Sequence, residues 1–112
     1  MMIEIDKIGN GIMRYIETEI TPQFPGWQRL AAETAVGLIV ARLPEMAKEW
    51  ETIPFVKELG LLENGKADID AIYQEAIKHF GDKVDVKLPV VGTLHFVKDD
   101  LTALYRSIKE GT

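Results

Sequence analysis

The sequence predicts one mainly helical α+β domain, spanning residues 1–112. About five helical segments pack around a buried central helix at residues 27–43, and a C-terminal β-hairpin occupies residues 84–97. Three observations carry that expectation. The stretch 26–43, GWQRLAAETAVGLIVARL, is apolar almost all the way round: Arg29 and Glu33 fall on one side of a helical wheel and Arg42 on another, so no wet face survives. Residues 69–80 place Ile69, Ile72, Tyr73, Ala76, Ile77 and Phe80 at unbroken helical spacing. From Val84 the period changes to two, with Val84, Val86 and Leu88, then Leu94 and Phe96, alternating with polar neighbours except for Val97.

In chain order, Ile5, Ile8, Ile12, Tyr15 and Ile16 share one side of a helix over residues 6–20, for which Asp6 is the candidate N-cap. Gly9 and Gly11 each cost such a helix about 1 kcal/mol relative to Ala. Asn10-Gly11 could instead turn a hairpin after an MIEI strand, so both readings stay open. The connector TPQFPG at 21–26 excludes helix through its two prolines, and Phe24 and Trp27 are expected to cap the end of the core. Within the central helix Ala31, Ala35, Gly37 and Ala41 keep the cylinder thin, so that neighbours can approach closely. Its charges and Pro44 interrupt the run of about 20 apolar residues that a membrane span needs.

Pro44 and Pro54 each suit the first turn of a new helix, EMAKEW and then PFVKEL, and Gly60 should end the second in the left-handed conformation. Asn64-Gly65 is a turn, and Asp68 caps the helix that follows. After the hairpin, Asp99 or Asp100 should cap a last helix with Leu101, Leu104, Tyr105 and Ile108 along one stripe.

Composition narrows the function classes. Hydrophobic residues at 46% and charged residues at 28% describe an ordinary globular chain. No Cys is present, which removes disulfides, thiolate catalysis and cysteine-bound metals. The net charge is −5, and no stretch clusters Lys or Arg as binding to phosphate backbones requires, so nucleic acid is not an expected partner. The acidic MMIEIDKIGN start lacks the features of a signal peptide, which makes the cytoplasm the expected location.

Catalytic and metal chemistry find little to work with. Glu75 and His79 stand one helical turn apart and could share a metal, but no third ligand is implied. A calcium loop placed with Gly65 at its sixth position puts Gly60, Leu62 and Ala71 where carboxylates are required. Ser107 is the only serine and lacks a nucleophile elbow, and Gly9-Asn10-Gly11 lacks the third glycine of a dinucleotide loop. No enzyme activity, cofactor, metal or catalytic residue is therefore expected.

Two apolar features fit a closed monomer poorly. Val90 and Val91 stand at a hairpin tip, where polar residues are usual, and Met46, Trp50 and Phe55 surround a twice-broken connector. They either pack on their own core or form a subunit interface, in which Met and aromatic residues are enriched. The expected interface is a homo-oligomer contact that includes the hairpin tip, with the Trp50 and Phe55 region as the second choice.

Residues 58–109 also carry an Asn64-Gly65 turn, an Asp68-x-Asp70-x-x-Tyr73 helix start, a strand ending in Pro89-x-x-Gly92-Thr93, and a terminal Asp100-x-x-x-Leu104-Tyr105 helix. In this order the segment resembles small uncharacterised proteins encoded in prophages of Gram-positive bacteria. The resemblance implies a phage origin and a structural or accessory role, with no active-site residue to carry over. The expected function is that of a non-enzymatic, phage-type structural or assembly protein that self-associates, in the host cytoplasm or the virion. The alternative is a phage accessory factor that binds and modulates a host protein through the acidic surface of residues 51–80, where six acids meet three bases.

Overall fold

The fold is seen in a computed structural model that describes residues 2–81, 83–88 and 92–111, apart from the side chains of Val86, Leu88 and Leu94. The chain opens with a short strand, β1 (Met2–Glu4), and turns at once into α1 (Ile5–Tyr15). The two N-terminal readings are thus both met in part: a strand does precede the helix, but Asn10-Gly11 lies inside α1 rather than in a hairpin turn. Helix α1 starts one residue earlier than expected, so Asp6 sits in its first turn and not at its N-cap. It runs on through a π-helical turn (Ile16–Ile20) and a 3-10 turn (Thr21–Gln23), where Pro22 removes a donor and ends it.

Pro25, held extended, launches α2 (Gly26–Ala41). Pro44 and Pro54 sit in the first turns of α3 (Leu43–Trp50) and α4 (Pro54–Leu59), positions where a missing N–H costs nothing. Gly60, at φ 64°, closes α4 with Gly60 N–H donating to Lys57 O and Leu61 N–H to Val56 O, which satisfies the last carbonyls of the helix. Strands β2 (Leu62–Glu63) and β3 (Lys66–Asp68) follow, joined by Asn64 (φ 52°) and Gly65 (φ 75°). Two consecutive positive φ values are the mark of a type I′ turn, which Asn-Gly prefers. Asp68 then caps α5 (Ile69–His79) by accepting from Ala71 N–H at 3.1 Å.

Strands β4 (Lys83–Leu88) and β5 (Gly92–Val97) form the expected C-terminal hairpin, in the register Val84↔Phe96, Asp85↔His95 and Val86↔Leu94. Helix α6 (Lys98–Glu110) completes the chain. Neither Asp99 nor Asp100 is its N-cap. That position is Val97, and Asp100 reaches back one turn to accept the Val97 N–H at 2.9 Å. The architecture is the mainly helical α+β arrangement read from the sequence, with a second small sheet that was not foreseen. This sheet has the order β1-β3-β2, with Ile3 opposite Ala67 and Leu62 opposite Ala67.

The core lies between α1, α3, α6 and the three-stranded sheet, built from Ile3, Ile5, Ile8, Ala47, Ala67, Ile69 and Ile108. Gly9 and Gly11, unfavourable for the helix by itself, set its packing distances. A methyl group added at Gly9 would meet Val40 of α2 at 2.7 Å, and one at Gly11 would meet Ile108 Cα of α6 at 2.7 Å. The hairpin is joined to the body through Phe96, whose ring stands edge-on to both Tyr15 and Phe80 at 6.4 Å. Val84 shares the Phe96 side of the hairpin yet is exposed, so the inner face expected there is only partly covered.

A further expectation is overturned. The helix at 27–43 is present but is neither buried nor central: it ends at Ala41, and only Ala32 and Val36 are fully covered. Trp27, expected to cap the core, is exposed.

Candidate functional site

Helix α2 is fixed from its inner side. The wholly buried Thr21 donates its hydroxyl to Glu33 Oε1 at 2.8 Å, and Arg29 Nε donates to the same oxygen at 3.2 Å. These two hydrogen bonds, Thr21 first, hold the Glu33 carboxyl below the usual carboxylate range. With Ala32 and Val36 turned inward, the other side must face out. Trp27 is 62% exposed, Leu30 67% and Leu38 66%. At 3.6 residues per turn, Trp27, Leu30, Ala31, Thr34, Leu38 and Ala41 fall on one side of the cylinder. That stripe carries no charge.

Contiguous apolar surface of this kind marks an interaction site in a soluble protein.

Of the interface residues read from the sequence, Val90 and Val91 lie outside the described residues. Met46 is half-buried, while Trp50 (41%) and Phe55 (50%) are exposed, together with Ile53 and Leu59 of the same connector and α4. Trp50 has a second role. It lines an apolar cavity of about 320 Å³ bounded by Ile5, Ile8 and Ile12 of α1, Leu43 and Ala47 of α3, Leu62 and Ala67 of the sheet, Ile69 and Ile72 of α5, and Ile108 of α6. Its wall exposes carbon alone.

Several polar side chains help to hold the fold. Among the acids of residues 51–80, Glu51 accepts the Gly65 N–H at 3.0 Å, Asp68 caps α5, and Glu75 pairs with Lys78 at 3.2 Å and His79 at 3.7 Å. Asp70 accepts from the Tyr105 hydroxyl and from Lys109 Nζ, the latter at 2.9 Å, and the Tyr105 ring stacks on Tyr73 with centroids 4.2 Å apart. The Tyr105 and Lys109 hydrogen bonds draw the Asp70 carboxyl below its ordinary range, and the Asp70 bond raises both Tyr105 and Lys109. The acidic surface imagined for a host partner is thus spent in good part on internal bonds.

Elsewhere, His95 and Asp85 meet across the hairpin at 2.6 Å, which lowers the Asp85 carboxyl. Tyr15 is buried and donates to Asp100 at 3.2 Å, and burial, then that carboxylate, raises its hydroxyl. Ser107 donates to Gly11 O at 3.0 Å. Among the described residues no group of three or more His, Asp or Glu side chains converges as a metal site, and no helix is long and apolar enough to cross a membrane.

The uncharged side of α2 was visible in its sequence, but an all-round apolar helix reads as buried when no partner is considered. The cavity left one trace, the small side chains Ala47 and Ala67 among large aliphatic neighbours. Comparison with protein-family models, curated proteins and solved structures gives no match to this chain.

Proposed function

We propose that this chain is a non-enzymatic, phage-type structural or assembly protein that self-associates, acting in the host cytoplasm or in the virion. The outward stripe of α2 is the observation that supports it. A second copy suits this stripe better than a charged partner does, because the face has no charge to complement. The chain carries −5 overall, so two copies meet with least repulsion where both are neutral. The helix is 16 residues long, or about 24 Å. In a two-fold antiparallel contact, Trp27 and Leu30 at one end would lie over Leu38 at the other. The small Ala31 and Thr34 between them permit close approach of the two axes. The phage assignment rests on the resemblance of residues 58–109.

Sedimentation and light scattering test the association. Leu30→Asp with Leu38→Asp should lower the measured mass to that of one chain while leaving the far-UV CD intact. A wild-type chain that stays monomeric at about 100 μM, the weak end of specific association, would defeat the proposal.

A further inference from the structure

We infer that the cavity beneath Trp50 is a binding site for a small uncharged apolar ligand, one that presents an alkyl or aryl group. Its volume of about 320 Å³ is roughly twice the ~150 Å³ of an apolar cavity that admits benzene. The wall exposes only carbon. A water molecule needs two to four polar partners, and this wall supplies none, so an apolar guest is favoured over solvent. Such a guest restores the dispersion contacts that the protein's own side chains leave unmade there.

The cavity owes its size to Ala47 on α3 and Ala67 on β3, both almost wholly buried. Both line the pocket, so a larger aliphatic residue at either position would take up part of its volume. Trp50 is exposed and Ile12, Leu43, Leu62 and Ile72 are half-buried, so the pocket opens among them, whereas Ile5, Ile8, Ile69 and Ile108 are each less than a tenth exposed. The pocket is half open at the surface, and its size and wholly apolar wall suit a free small apolar molecule. The inference is independent of the self-association proposed above.

The neutral fluorophore N-phenyl-1-naphthylamine provides the probe. Titrated into the full chain, it should show a saturable, blue-shifted rise in emission at one dye per chain. Ala47→Leu and Ala67→Leu, each filling the space, should weaken uptake at least tenfold with the far-UV CD preserved; Ala47→Val, a smaller intrusion, carries the same expectation should either fail to fold. Leu30→Asp with Leu38→Asp should bind the dye as wild type does. No saturable uptake by wild type would overturn the inference, and so would filled variants that bind the dye undiminished. Loss of uptake confined to the Leu30/Leu38 variant would place the dye on α2 and overturn it equally.

Discussion

Gly11 and Ile108 set the distance between the first and last helices: a β-carbon at Gly11 would fall 2.7 Å from Ile108 Cα, closer than real side chains approach a backbone. The α1 and α6 backbones therefore touch, and the Ser107 hydroxyl closes the contact by donating to Gly11 O at 3.0 Å. Gly11→Ala should destabilise the fold by about 1–3 kcal/mol through overpacking, despite the better helix propensity of Ala. Gly37→Ala, where an added methyl meets nothing within 4 Å, should instead be neutral or stabilising by up to about 1 kcal/mol. Urea midpoints measure both. Equal effects at the two glycines would show that α1 and α6 are not in backbone contact.

The inner and outer sides of α2 should respond oppositely to truncation. Val36→Ala removes buried methyl groups and should cost about 2 kcal/mol. Leu38→Ala, which would cost about 2–5 kcal/mol on a buried helix, should cost less than about 1 kcal/mol here and weaken self-association instead. Urea unfolding at low protein concentration separates the two sides, and a large loss at Leu38 would restore the buried reading.

The Asn64-Gly65 turn joins three parts of the fold, because Gly65 N–H donates to Glu51 Oε1 at 3.0 Å and Gly65 O accepts from Ile5 N–H at 3.1 Å. At φ 75° an L-residue pays roughly 1–2 kcal/mol, so Gly65→Ala should lower the urea midpoint by that amount. An unchanged midpoint would mean that the turn is not left-handed in solution.

Stability should fall at both ends of the pH scale. Asp70, Glu33 and Asp85 are held below their ordinary values by hydrogen bonds from Tyr105, Thr21 and His95 respectively. The unfolded chain therefore binds more protons near pH ~4. These groups stabilise the fold above that pH, and the contribution is lost as pH falls through their depressed values. Tyr15, Tyr105 and Lys109 are raised, so their contribution is complete below pH ~10 and is lost as pH rises through the folded values. Urea midpoints of Asp70→Asn should change less than those of wild type between pH 5 and pH 2, taken as about one unit above and two below the ordinary carboxylate value. Parallel curves would remove Asp70 from the acid transition.

Local signals in the chain determined most of its elements. Pro44 and Pro54 set helix starts, Gly60 and Asn64-Gly65 set left-handed turns, Asp68 set a cap, and the change of period at Val84 set the hairpin, because each depends on backbone sterics or on hydrogen bonds within a few residues. The segment β1 was legible only as one of two options, since its partner β3 lies more than sixty residues away and pairing at that range leaves no local mark. Tertiary structure alone decided which side of α2 faces the body. Hydropathy is the same whether an apolar residue is covered by its own chain or left for a partner, and the choice here was made by Gly9 meeting Val40 and by Thr21 holding Glu33. The cavity was decided in the same way: Ala47 and Ala67 are ordinary core residues in the sequence, and only the separation of the helices and sheet that carry them leaves the space between.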